Sequence, residues 1–381
     1  MVDPIGVENT LETFLSYPSP QPDMAAVRQF IATVVRPRVE GAAFDRIAVD
    51  EWGNLVATRV GTRPDLPPLI WYTYGATYPV AGMADPYPAC RIHEGGDLFL
   101  RGRGAAEQRP GLAAAVEALR SLAELERPER GITLVTCVAG EMGNHLVAES
   151  LARRGVLRGA GAVLAIATGG QVGLGNLGRV DIEVEVRGIP CHSSSPSRGV
   201  NAVDGAVDFC LRLRRLGPLP SDPDLGEATM AITGISSEPR AAHTIPSRCV
   251  VTIDRRLLPG ESPEEAMEAI RACARGIAPQ EVSVRSGHFN LPGKLSPDHP
   301  LPRLAVEAAE RAGLAAPFFY RRAALDAGYL MSMATPAIMW GPGNPALAHT
   351  DEERVRVADV VMGAEAYRAL SLLACWERPV W

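Results

Sequence analysis

Between residues 178 and 292 the hydrophobic pattern of the chain changes period, and that change constrains the fold more than any other feature. Val180, Ile182, Val184 and Val186 alternate with Asp181, Glu183, Glu185 and Arg187. Such period-2 alternation belongs to a strand with one buried and one wet face. A helix over 200–216, strands over 228–235 and 249–257, a second helix and a strand over 282–286 follow. The second helix opens on Ser262-Pro263-Glu264-Glu265, a capping box. The order β-α-β-β-α-β predicts a split βαβ sandwich of ferredoxin-like type.

On either side the texture is different. Apolar strands over 69–73, 132–138, 162–167 and 337–340 alternate with helical stretches over 112–125, 143–154 and 301–312 and with a long last helix. Thr350 and Glu353 read as the capping box of that last helix. Two helices, over 8–17 and 24–35, and a hairpin over 47–60 turning at Trp52-Gly53-Asn54 come first. Alternating strands and helices predict an α/β fold with a doubly wound, mostly parallel sheet. The chain therefore reads as one larger α/β domain, residues 1–178 and 291–381, with a smaller α+β domain, residues 179–290, inserted into it.

Composition excludes several function classes. A net charge of −6 gives no basic footprint for nucleic acid. No apolar run reaches the length of a membrane span, and the first residues lack the basic and apolar regions of a signal peptide. Seven cysteines without a CxxC pair fit reduced thiols. The expectation is a soluble, cytoplasmic protein with a small-molecule partner, no nucleic acid and no membrane.

The chemistry concentrates around residues 98–119. A short apolar strand over 98–100 runs into a turn spaced by Gly102 and Gly104, and Pro110-Gly111 lead into a helix. Glu107 is the only acid of that turn, at the kind of strand-to-helix rim where ligands gather in open α/β sheets. The order Gly-Arg-Gly-Ala-x-acid-x-basic-x-Gly-Leu-Ala-Ala resembles the zinc hydrolase family of acetylornithine deacetylases, succinyl-diaminopimelate desuccinylases, aminoacylases and glutamate carboxypeptidases. In that family the acid of this turn is an Asp bridging two zinc ions, and the inserted domain pairs two subunits. The resemblance implies a homodimer and runs from about residue 69 to residue 373.

Residue by residue the resemblance is uneven. The family's zinc-binding His and its orienting Asp in His-x-Asp correspond to Tyr74 and Ala76. The general base of Glu-Glu-x-Gly corresponds to Gly140, while the second Glu, a zinc ligand, is kept as Glu141. A further acidic ligand corresponds to Ile166. The closing motif survives in Gly341-Pro342-Gly343 and Ala348-His349-Thr350-Asp351-Glu352, so His349 keeps the last ligand. The losses sort by metal: Tyr74 and Ile166 remove two of three ligands to the first zinc. Glu107, Glu141 and His349 retain all three to the second, which implies at most one zinc.

In the inserted domain the match is fuller. Gly188-Ile189-Pro190-Cys191-His192 matches the segment whose His polarises the substrate carbonyl across the dimer, which gives His192 an oxyanion-stabilising role. Asn201 falls in the same signature. Arg256, in Asp254-Arg255-Arg256, corresponds to an arginine that binds the substrate carboxylate. His243 occupies a position usually held by a substrate-contacting Asn. Asp326, in Ala324-Leu325-Asp326-Ala327, resembles a Gly-Thr-Asp-Ala turn beside the family's site. Arg101, Arg103 and Arg109 cluster near the acid turn, where solvated guanidinium groups are the default expectation.

Losing the carboxylate at position 140 matters because general-base help is worth about 10²–10⁴-fold. Tyr74, Asp326, His93 and His145 are the possible substitutes, His93 being read as a loop residue and His145 as a helix-face one. Three readings follow. One is an amide hydrolase with a single metal and a substitute base. The second is a metal-free transfer, condensation or cyclisation catalyst on the same scaffold, and the third a non-catalytic binding homologue. The first predicts action on a small, carboxylate-bearing N-acyl amino acid or peptide-like amide.

Overall fold

The computed structural model describes residues 1–140 and 145–381, the side chain of His145 excepted. The chain forms two compact units. One comprises Met1–Gly175, Lys294–Arg321 and Asp326–Trp381, the other Asn176–Gly293 and Arg322–Leu325.

The larger unit is built on a sheet whose middle four strands run parallel. Ile132–Cys137, Leu69–Tyr74, Gly161–Leu164 and Ala337–Met339 lie side by side in that order. Every residue of Leu69–Tyr74 and Ile132–Cys137 is buried, as expected of strands covered on both faces. The hairpin Arg46–Val49 and Leu55–Arg59 joins antiparallel on one side. Val172–Asn176 joins antiparallel on the other. The helix Arg109–Arg120 is buried along almost its entire length, and the sixteen-residue helix Val357–Leu372 packs against it. The second N-terminal helix is less regular than its pattern suggests. Met24–Phe30 passes through a π-turn at Ile31–Val35 before Arg36–Glu40.

Two sequence expectations are corrected here. The strand over 98–100 does not belong to the main sheet. As Asp97–Arg101 it is the middle strand of a separate three-stranded antiparallel sheet with Cys90–Glu94 and Arg354–Arg356. Consequently His93 lies on an exposed strand and not in a loop. Thr350 and Glu353 do not cap the last helix either. That helix begins at Val357, after Arg356, without a side-chain cap, because the Glu353 carboxylate is already bonded to Arg103 and to the backbone of the acid turn.

The smaller unit follows its pattern closely. Its four-stranded antiparallel sheet runs Met230–Glu238, Arg248–Leu257, Gly178–Arg187, Glu281–Asn290, the second-third-first-fourth order of the β-α-β-β-α-β arrangement. Val180, Ile182, Val184 and Val186 are at most 2% exposed and pack with Phe209, Leu213, Met267 and Ile270 from the two helices, Ala202–Leu213 and Pro263–Ala274. The capping box at Ser262 and Glu265 is formed in both directions.

Candidate functional site

The acid turn is held open by backbone geometry and closed by a carboxylate. Gly104 takes φ +90°, a left-handed conformation that favours glycine. Its N–H and that of Ala106 donate to Oε2 of Glu353 at 2.7 and 3.3 Å. The carbonyl of Glu107 accepts from Ala167 N–H at 2.9 Å. These bonds aim the Glu107 side chain, 12% exposed, at His349. The Oε2 of Glu107 lies 3.0 Å from Nε2 of His349. His349 itself sits at φ +65°, a conformation that costs an ordinary residue energy and persists only where neighbours enforce it. Its ring stacks on Tyr78 with centroids 3.8 Å apart and planes 12° apart.

Two of the three residues implied as second-zinc ligands are thus in direct contact. Glu141 lies outside the described residues. With Zn–O and Zn–N bonds of about 2.0–2.2 Å, donor atoms 3.0 Å apart can share one ion. Among the described residues no group of three metal-type side chains assembles.

The residues that stand where the resemblance implies first-zinc ligands are arranged differently. Tyr72 and Tyr74 share one face of their strand, two residues apart, with ring centroids 5.4 Å apart. Tyr72 donates to Oδ2 of Asp326 at 3.1 Å, and Tyr74 is a second donor to the same carboxyl. Burial raises the Asp326 carboxyl above its ordinary range, more than the two hydroxyls lower it. Burial, followed by the nearby Asp326 carboxylate, lifts both tyrosine hydroxyls well above theirs. Cys137, the register partner of Tyr74, is pushed up to about 12, chiefly by burial. Ile166, 2% exposed, offers only an apolar side chain. A Cβ placed on Gly140 would stand 2.7 Å from Cδ1 of Tyr74, so the aromatic ring uses the room that a side chain at position 140 would need.

The arginines near the acid turn are not solvated, contrary to the default. Arg103 and Arg109 are fully buried. Arg103 pairs with Glu353 at 2.5 Å, both side chains being 0% exposed. Arg109 bonds the carbonyls of Gly75 and Tyr17 and the Ser19 hydroxyl, and lies 3.7 Å over the Phe30 ring. Its burial draws the guanidinium down to about 9. Of the three only Arg101 is half-buried, bonded to the carbonyls of Ala84 and Asp351. The role of Glu353 was missed at the sequence level. Its one visible signal was the capping-box spacing, which pointed elsewhere.

In the smaller unit, His192 forms a two-residue antiparallel bridge with Thr244. Its ring lies 5.8 Å from that of His243, centroid to centroid. The Nδ1 of His192 accepts from Ser194 N–H at 3.1 Å. A nitrogen that accepts from an N–H carries no proton, so the neutral ring is protonated at Nε2. Arg256 presents Nε and Nη2 to the two oxygens of Asp254 at 2.8 and 2.9 Å, so one bidentate edge is in use. Asn201 is an N-cap: its Oδ1 accepts from Val203 N–H at 3.0 Å and its Nδ2 donates to Asp204 at 3.1 Å. Both polar ends bond at the start of the helix.

The α/β core with its acid turn and late histidine, and the ferredoxin-like unit, are the elements that the resemblance implies. The comparisons agree. Residues 174–282 match the family model M20_dimer, described as a peptidase dimerisation domain. The chain is 30% identical over 280 residues to a putative [LysW]-lysine/[LysW]-ornithine hydrolase of Aeropyrum pernix, covering 72% of this chain and 74% of that one. It is 27% identical over 274 residues to the acetylornithine deacetylase of Myxococcus xanthus, covering 70% of each. Its fold matches the M20 family metallo-carboxypeptidase Sso-CP2 of Sulfolobus solfataricus with a TM-score of 0.80 at 15% identity, over 96% of this chain and 98% of that one. The chain belongs to the M20 family. Among the described residues no helix is long and apolar enough to cross a membrane.

Proposed function

We propose that this protein is a divergent amidohydrolase that acts on a small N-acyl amino acid or peptide-like amide bearing a carboxylate, and that it holds at most one zinc ion. The observation that carries this reading is the contrast within one unit. Glu107 and His349 remain 3.0 Å apart, while Tyr74 and Ile166 stand where two of the three donors to a second ion would be. Glu107, His349 and Glu141 would hold the single ion. When bound, that ion would polarise the amide carbonyl and activate a water.

The other roles fall to the chain itself. His192 donates from Nε2 to the developing oxyanion. Arg256 grips the substrate carboxylate, with His243 flanking His192. Tyr74 holds its proton and so serves as a donor, not a base. Asp326, whose carboxyl burial raises above its ordinary range, is the candidate substitute base. Similarity to proteins named acetylornithine deacetylase and [LysW]-lysine/[LysW]-ornithine hydrolase supports the substrate class. The dimerisation-domain match supports a homodimer, and Met230–Glu238, an edge strand exposing Ile235, offers a surface for a second copy. The protein works in the cytoplasm.

A second reading is metal-free acyl transfer, condensation or cyclisation on the same scaffold. The Tyr74 ring against Gly140 favours it, because it occupies the place of a water-activating carboxylate.

Elemental analysis of the purified protein, with Glu107→Gln, Glu141→Ala and His349→Ala as controls, separates the two. One zinc per chain, lost in the controls, with hydrolysis of N-acyl amino acids, supports the first reading. No bound zinc even after its addition overturns it in favour of the second. Two ions per chain would sink the single-metal claim.

A further inference from the structure

Glu353 splits its two oxygens between two different turns. Oε2 accepts from the N–H groups of Gly104 and Ala106, in the turn that ends at Glu107. Oε1 accepts from the N–H of His349 at 3.2 Å and from Nη1 of Arg103. Arg103 extends the connection, donating to the carbonyls of Thr350 at 3.2 Å and Val80 at 2.7 Å. The segment after Leu69–Tyr74, the acid turn and the His349 turn therefore meet at one ion pair in which both side chains are 0% exposed. Tyr78, the platform for the His349 ring, lies in the first of these segments, and Arg103 approaches its ring to 5.8 Å.

We propose that Glu353 is a positioning residue: its carboxylate clamps the acid turn to the His349 turn and thereby sets the separation of Glu107 and His349. Two features argue for this over simple packing. A carboxylate has acceptor sites on both oxygens and no donor, and here every contact is with an N–H. Moreover, His349 stands at φ +65°, a strained conformation that the Glu353 bond to its own N–H helps to hold. The clamp rests on the reading of Glu107 and His349 as metal ligands only for its consequence, not for its geometry.

Glu353→Gln tests it, since the amide keeps the shape but turns one prong into a donor facing N–H groups. Arg103→Met/Glu353→Gln serves as the second variant, because it leaves no unpaired guanidinium if the first folds poorly. Two readouts are needed in folded protein: zinc affinity by competition with a chromophoric chelator, and the ring ¹⁵N pattern of His349 in metal-free protein. As a carboxylate, Glu107 requires the His349 proton to be on Nε2, and that pattern is the signature of the pair. The expected result is zinc binding at least tenfold weaker and loss of the Nε2-protonated pattern in both variants. Lowered melting temperature with wild-type zinc affinity and wild-type ring pattern would overturn the clamp. If the wild-type protein takes up no zinc but the ring pattern changes in the variants, the clamp stands and the metal reading falls.

Discussion

The two units keep their polar groups in opposite ways. In the larger unit Arg103 and Glu353 are sealed from solvent, and Asp326 is half-buried against Tyr72. Burial is the largest cause of shift for Asp326, Tyr74, Cys137 and Glu353. In the smaller unit His192 is exposed, and Arg256 meets Asp254 with both side chains about a quarter exposed. Glu185 differs again. Its side chain is only 3% exposed, yet the guanidinium groups of Arg248 and Arg187 dominate and lower its carboxyl. The departures that the resemblance implies at Tyr74 and Gly140 fall where one side chain takes up the space of the next. A buried site changes as a set, because each side chain defines the space of the next. Tyr74 and Gly140 are such a set.

The difference is tested most severely at the buried ion pair. Arg103→Met leaves Glu353 sealed without its cation. Loss of one partner of a buried pair costs about 3–5 kcal/mol, and urea unfolding is expected to register a loss of that size. A loss below about 1 kcal/mol, the range of exposed pairs, would mean that the two units are alike in how they hold charge.

The sequence disclosed the backbone better than this clamp. The period of Val180–Val186, the apolar parallel strands and the Ser262 capping box are local patterns, and local patterns survive folding. The capping box inferred at Thr350 and Glu353 failed because spacing alone does not reveal a competing partner. Arg103 lies 250 residues away in sequence. The strand Asp97–Arg101 was recognised but assigned to the wrong sheet, since its partners come from both sequence sides. At the site, Glu107 and His349 were legible through their motifs. That Tyr74 fills the space beside Gly140 was not, because it depends on the adjacency of two strand ends.

Asp326 gives the comparison a pH dependence. Its folded-state carboxyl titrates above the ordinary Asp value of 3.8 because of burial. Below that value both folded and unfolded chains are protonated, and the shift contributes nothing. As the pH rises through the raised folded value the unfolded state ionises more readily, so the wild-type protein loses stability. Asp326→Asn cannot ionise and keeps an oxygen to accept from Tyr72. Its stability relative to wild type is expected to rise with pH across that window and then level off, as read by denaturant unfolding at a series of pH values. A difference that stays flat with pH would show that burial does not raise the Asp326 carboxyl.

The smallest expected change in stability is at Arg256. Its partner Asp254 lies on the same strand face and both side chains are partly open to water, so the pair is worth about 0–1 kcal/mol. Arg256→Met is therefore expected to unfold within that margin of wild type. Its effect should appear in binding instead. A guanidinium that faces a substrate carboxylate makes a charge-assisted contact, and its removal should raise KM for carboxylate-bearing amides while leaving kcat nearly unchanged, the pattern of a contact made equally in ground and transition states. Amidated substrates lacking the carboxylate should show no difference between the two proteins. Were Arg256→Met to cost several kcal/mol with KM intact, Arg256 would belong with Arg103 as a structural cation, and the contrast between a buried, rebuilt core and an open, retained recognition surface would fail at its most exposed point.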